Sequence, residues 1–132
     1  GNFVVGGGIS WQLQADGGMR CYVAQTALDE GSHVLVSVAG AVVVGTWYHL
    51  VFAYVANGTS RFFRNGSELS ASMTGTFTSA FRNSTRVLSI AARGGSQTFF
   101  DGQIALPTFT STTLSAAQVM SRYQQERHLL GV

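Results

Sequence analysis

The stretch from Gly45 to Gly66, GTWYHLVFAYVANGTSRFFRNG, constrains the fold more than any other part of this chain. Trp47 to Val55 is a run of aromatic, aliphatic and β-branched residues with one histidine and no breaker. Ala56-Asn57-Gly58-Thr59 then turns the chain, and Ser60 to Arg64 runs back into Asn65-Gly66. Asn-Gly between apolar runs is a strong hairpin signal, because both central residues of a type I′ turn need positive φ. Two such steps in succession predict an antiparallel meander.

Side chains alternate across a strand, so Trp47–Val55 has two faces. One carries Trp47, His49, Val51, Ala53 and Val55; the other carries Tyr48, Leu50, Phe52 and Tyr54. Both are largely apolar, and neither suits open water. One face is expected to meet an opposing sheet. The other requires a loop, a ligand or another subunit to cover it.

Elsewhere the period of two recurs. Ile9, Trp11 and Leu13 alternate with Ser10, Gln12 and Gln14, and Asp16-Gly17-Gly18 reads as a turn. Met19, Cys21 and Val23 resume the alternation, and the polar residues 25–32 read as a loop. His33–Val38 and Ala41–Val44 read as strands split by Gly40. Further strands are expected at Leu69–Met73, Phe77–Phe81, Val87–Ala92, Thr98–Phe100 and Gln103–Thr110. Short strands with a turn signal every eight to twelve residues or so suit a β-sandwich or jelly roll. One helix is expected near residues 116–128, packed on a sheet edge. Ser115-Ala116-Ala117-Gln118 fits a capping box, Val119 and Tyr123 share a face, and Gly131 is a stop.

The ordered succession of these pieces resembles the laminin-G-like, concanavalin A-like lectin/glucanase group. The residues that carry the resemblance are Trp47, His49, Leu50 and Val51, then Phe63, Asn65 and Gly66. Leu88 and Ile90 follow, then Phe100, Gly102 and Ile104, and finally Leu114-Ser115-Ala116-Ala117-Gln118 leading to Tyr123. The resemblance implies an all-β, concanavalin A-like antiparallel β-sandwich (jelly roll) with one short C-terminal helix. It places residues 1–132 in a single domain that lacks the first family strands, supplied upstream or by a neighbouring chain. Many members carry acidic residues after the Phe-x-Gly-x-Ile segment, where this chain has Ala105 and Leu106.

Composition narrows the function. A chain of 132 residues forms one domain with a substantial core. Charged residues are only 11% of it, against about 25% in typical domains. The eight basic residues are all arginine and scattered along the chain, which argues against nucleic acid. No apolar run approaches the roughly 18 residues that cross a membrane. Cys21 is the single cysteine, so no internal disulfide forms. It reads as a small buried hydrophobe, with an intermolecular disulfide as the sharper alternative.

The reactive residues do not assemble into a catalytic pattern. Glucanases on the resembled fold present two carboxylates about 5–5.5 Å apart, as Glu-x-Asp-x-x-Glu on one strand. Here Asp16, Asp29, Glu30, Glu68, Asp101 and Glu126 show no such spacing, so no catalytic residue is expected. His33, His49 and His128 lack metal-ligand spacing, and Asp16 and Asp101 alone are too few for calcium. No metal or cofactor is expected. Gly6-Gly7-Gly8 lacks the Lys and helix of a phosphate loop. Asn57, Asn65 and Asn83 head formal N-glycosylation sequons.

Recognition remains. With Ile9, Trp11, Leu13, Met19, Cys21 and Val23 facing a core, the opposite face carries Gln12, Gln14, Arg20 and Tyr22. Planar rings stack on sugars, while amides and guanidinium bond their hydroxyls, so these four are the candidate ligand-binding residues. The expectation is a non-catalytic binding or assembly module, extracellular or on a virion surface. It would recognise a glycan, pack against partner subunits as a homo-oligomer or larger assembly, or do both. The alternative is a purely structural capsid decoration or tail-fibre protein without a ligand. Neither nucleic acid nor membrane insertion is expected.

Overall fold

The Asn65-Gly66 step turns the chain as its sequence predicts, with φ of 51° and 81° at the two residues. A computed structural model describes residues 8–24, 33–77, 90–91 and 99–132. Its strands are β1 (Gly8–Leu13), β2 (Met19–Ala24), β3 (Val34–Ser37), β4 (Leu50–Ala53), β5 (Arg61–Arg64), β6 (Ser67–Leu69) and β7 (Ala71–Thr74), followed by helix α1 (Ala116–Leu130). They form a four-stranded sheet in the order β1-β2-β3-β7 and a three-stranded sheet in the order β4-β5-β6. Every described pairing is antiparallel. The expected all-β sandwich with a C-terminal helix is therefore present.

The main core lies between the sheets. Met19, Cys21, Val23 and Leu35 from the larger sheet meet Phe62 and Phe77, with Leu50, Phe52 and Tyr54 packed around them. Phe52 and Phe62 have ring centroids 5.5 Å apart, and Tyr54 stacks on Phe77 at 5.6 Å. The two fully buried rings, Phe62 and Phe77, each contribute about 1.5–3 kcal/mol. Ile9, Trp11 and Leu13 share this inner face through the register Ile9↔Val23, Trp11↔Cys21 and Leu13↔Met19. They are nevertheless 53%, 43% and 38% exposed. The strand β1 is an outer strand of its sheet among the described residues, and Trp11 reaches the opposite layer, stacking on Phe62 at 6.2 Å.

The second face of β4 is covered by the chain itself. Ala53, Phe63 and Val119 form a smaller core, with Val51 and Leu114 against it. Helix α1 thus lies against the outer face of the three-stranded sheet on the side of its outer strand β6, which agrees with the expected place by a sheet edge. Val119 reaches from there over Phe63 and Ala53. The helix starts at the expected box: Ser115 Oγ accepts from Gln118 N at 3.3 Å, and Ser115 N donates to Gln118 Oε1 at 2.8 Å. It stops at Gly131, where φ is 70°.

Several expected strands change. The run Trp47–Val55 keeps ladder pairing only from Leu50 to Ala53. Its other end is held by a side chain, because Asn65 Oδ1 accepts from His49 N at 2.9 Å while Asn65 N donates to His49 O at 2.8 Å. The second Asn-Gly step differs in type: Asn57 has φ 54° but Gly58 lacks positive φ. Asn57 N is drawn to Phe77 O at 2.6 Å, a tertiary bond that local turn rules do not contain. Leu69–Met73 divides at Ser70, with β6 in one sheet and β7 in the other, so this is where the chain changes layers.

Ala41–Val44 is not a strand. It crosses the end of the sandwich, tied down by Gly40 N to Asp16 O at 2.8 Å, Val42 N to Gly17 O at 2.9 Å and Arg64 Nη1 to Ala41 O at 2.7 Å. Gln103–Thr110 is not a strand either: Leu106 sits at φ 51° and Pro107 has no N–H to give a ladder. Phe99–Phe100 is likewise outside any strand, although Phe100 N donates to Ala91 O at 2.8 Å. The strands expected from Phe77 and from Val87 fall largely outside the described residues, as do loop 25–32, Gly6-Gly7 and the Asn83 sequon.

At Gly66 a Cβ would stand 2.8 Å from Met120 Sδ and 3.0 Å from Tyr123 Cδ1, both on α1. Gly40 has φ 69° but nothing within 4 Å. Gly40→Ala is expected to cost only the left-handed strain, about 1–2 kcal/mol. Gly66→Ala is expected to cost more than that, since it also lifts the helix. Urea unfolding of the two variants measures the difference.

Candidate functional site

Strand register assembles a polar surface on the outer face of the larger sheet. Ser10 pairs with Tyr22 and Gln12 with Arg20 across β1 and β2. Arg20 and Tyr22 pair in turn with Val36 and Val34, which pair with Ser72 and Thr74. Three of the four sequence-predicted residues, Gln12, Arg20 and Tyr22, are therefore neighbours on one face. Gln14 stands at the end of this row, in the turn, where its N–H donates to Gly18 O at 2.8 Å and its carbonyl accepts from Gly17 N at 3.0 Å.

All four are half-buried. Gln12 Nε2 donates to Ser10 Oγ at 3.1 Å. Arg20 Nη1 donates to the Tyr22 hydroxyl at 3.1 Å, and the guanidinium carbon sits 5.8 Å from the Tyr22 ring centroid. Arg20 Nε is closed to water and has no acceptor. The surface thus offers a ring, an amide, hydroxyls and a cation within neighbouring strand positions. That donor set suits hydrogen bonding and stacking; it contains no nucleophile–base pair.

The remaining polar residues occupy other places. Asp16 Oδ1 accepts from Gly18 N at 2.9 Å and so shapes the β1–β2 turn. Glu68 faces Arg61 at 3.7 Å, Glu126 faces His49 at 3.5 Å, and Asp101 is exposed. Among the described residues, no three of His, Cys, Asp and Glu gather at a common point that could hold a metal. Asp29 and Glu30 lie outside the described residues. Cys21 is fully buried in the main core, and that burial pushes its thiol far above the ordinary cysteine range. It behaves as the small hydrophobe that its alternation suggested.

His49 fastens α1 to the sheet. Its Nε2 lies 3.5 Å from Glu126 Oε2 and its ring is 6.0 Å from that of Tyr123, while Nδ1 is buried without a partner. Burial holds its pKa below the ordinary histidine value; Glu126 pulls upward, Arg122 pushes downward, and burial prevails. A separate cleft of about 340 Å³ opens between the β4–β5 hairpin and the start of α1. Ala53, Phe63 and Leu114 form its floor, with Thr59, Arg61 and Gln118 at the rim. No local pattern in the sequence announces it, because its walls meet only where the helix lands.

Residues 1–120 match the family described as the Concanavalin A-like lectin/glucanases superfamily. Among solved structures, an S-layer domain-containing protein from Clostridium thermocellum is similar, with a TM-score of 0.51 at 16% sequence identity. The likeness covers 91% of this chain and 58% of that one, and at such identity it concerns the fold alone. Comparison with functionally curated proteins finds no match.

The His49 arrangement predicts a pH dependence. Folding keeps the ring neutral, while the unfolded chain takes up a proton below about pH 6.5. Stability is expected to be level above that pH and to fall as pH drops from about 6.5 toward the lower folded-state value. Urea midpoints between pH 7.5 and 5.5 should decline in the native chain and decline less in His49→Gln.

Proposed function

The chain belongs to the concanavalin A-like lectin/glucanase superfamily, and on that premise we propose that it is a non-catalytic extracellular binding module for carbohydrate. The binding residues in this reading are Gln12, Gln14, Arg20 and Tyr22. The observation that carries it is the convergence of Gln12, Arg20 and Tyr22 on one outer sheet face through the pairs Gln12↔Arg20 and Ser10↔Tyr22. Such a face binds a sugar by stacking on the Tyr22 ring and by hydrogen bonds from amide, guanidinium and hydroxyl groups.

The placement of the acids supports binding without hydrolysis. Asp16, Glu68, Asp101 and Glu126 stand on a turn, a strand of the other sheet, an exposed loop and the helix, respectively. A glycosidase needs two carboxyls facing one bond. An extracellular or virion-surface setting fits the low charged fraction, 11%, and the structurally similar protein is itself named for an S-layer domain. Among the described residues no helix is long and apolar enough to cross a membrane.

Exposed apolar side chains favour a second, compatible reading as an assembly subunit of a decoration or fibre type. Ile9, Trp11 and Leu13 form an exposed row, and Val44 at the sandwich end is 99% exposed. Apolar rows of this kind usually mark interfaces. In that reading the partner is a further copy of the chain or a larger protein assembly.

Two measurements test these readings. On a glycan array, the native chain is expected to bind a restricted set of sugars. Tyr22→Ala and Arg20→Ala should each weaken binding about tenfold, or about 1.4 kcal/mol; absence of any binding removes the carbohydrate reading. Multi-angle light scattering is expected to show an oligomer that Trp11→Ser shifts toward monomer. A stable monomer at high concentration removes the assembly reading.

A further inference from the structure

We infer that Asn57-Gly58 is a self-modification site, where the Asn57 side-chain amide is lost to attack by the Gly58 backbone nitrogen, and that the fold withholds the same reaction from Asn65-Gly66. The chain carries this dipeptide at both places. In an unfolded chain both react, because glycine puts no side chain in the way of its own nitrogen. The attack joins the glycine nitrogen to the asparagine Cγ. The Cγ–Nδ2 bond breaks, and ammonia leaves with the proton of the backbone amide. The five-membered imide then takes up water at either carbonyl and opens to aspartate or to isoaspartate, which has an extra carbon in the main chain. Water is the sole co-reactant, and nothing is oxidised or reduced.

Ring closure requires the asparagine ψ to turn until the next nitrogen faces Cγ, so the rate follows the freedom of both residues. At Asn57 that freedom exists. The residue is exposed, in the loop of residues 54–60 that joins β4 to β5. Its backbone N–H is fixed to Phe77 O at 2.6 Å, but this anchor lies on the other side of Cα from the bond that turns. Gly58 N, the nucleophile, reaches Val55 O only at 3.4 Å, beyond the usual hydrogen-bond range, and is released at little cost. At Asn65 the same rotation is opposed from both ends. Asn65 Oδ1 accepts from His49 N at 2.9 Å, and Asn65 N donates to His49 O at 2.8 Å. Arg64 and Ser67 are paired across the two-residue turn, which leaves it no slack. Gly66 is buried against Met120 and Tyr123 of α1, so its nitrogen swings only if the helix lifts.

The experiment incubates the full chain in heavy-oxygen water at mildly alkaline pH and follows both sites by peptide mapping with mass spectrometry. Asn57 is expected to convert at least about tenfold faster than Asn65, a barrier difference of about 1.4 kcal/mol. Its products should be a mixture of aspartate and isoaspartate that carries the heavy oxygen. In concentrated urea the two rates should converge, which separates the effect of the fold from that of the following residue, Thr59 or Ser67. Met120→Ala, which gives Gly66 room beneath the helix, should speed the loss at Asn65 and leave that at Asn57 unchanged. Loss at Asn57 no faster than at Asn65, including no loss at either, overturns the inference. A ratio that persists in urea overturns the protection assigned to the fold, and an Asn65 rate that Met120→Ala does not raise overturns the share given to α1.

Discussion

Phe62 and Phe63 are consecutive residues of one strand, and both are withdrawn from water, at 0% and 1% exposure. Consecutive side chains of a strand point to opposite faces, so β5 must have a hydrophobic layer on each side. Everything else in the architecture follows from meeting that demand. The larger sheet receives Phe62, together with Phe52 from β4, over Met19, Cys21, Val23 and Leu35. The helix receives Phe63, through Val119 and Leu114. The order of layers is sheet, sheet, helix, with the three-stranded sheet in the middle.

Among the described residues, the faces of the middle sheet pack on the larger sheet and on α1, and the inner face of the larger sheet is core. The outer face of the larger sheet is a separate surface, and its polarity is set by alternation. Met19, Cys21 and Val23 are driven inward, which turns Arg20 and Tyr22 outward beside Ser10 and Gln12. The candidate site is thus the reverse side of the core and is positioned by it. A guanidinium held over a tyrosine ring on a rigid sheet is better placed for recognition than one on a loop.

Parts of the family pattern acquire physical roles here. His49 and Asn65 are joined by two hydrogen bonds that close the end of the β4–β5 pair, where the ladder itself has stopped. The His49 ring then reaches across to Glu126 and Tyr123, so the same residue links hairpin and helix. Gly66 is required twice over, by its φ of 81° and by the closeness of Met120 and Tyr123. The later Phe100, Gly102 and Ile104 segment forms no strand, and Pro107 together with the positive φ of Leu106 interrupts the run that follows.

What the sequence determined by itself was local and periodic: the Asn65-Gly66 turn, the alternation of β1 and β2, the box that starts α1, and the sharing of one face by Gln12, Arg20 and Tyr22. These depend on backbone sterics and on a side-chain period of two, and both act between near neighbours. Tertiary structure decided the rest. It chose α1 rather than another molecule to cover the second face of β4, and it divided Leu69–Met73 between two sheets. It drew Asn57 to Phe77 and out of a type I′ turn and opened the cleft between the β4–β5 hairpin and the start of α1. Each of these outcomes is set by where distant segments come to rest, which no window of neighbouring residues encodes.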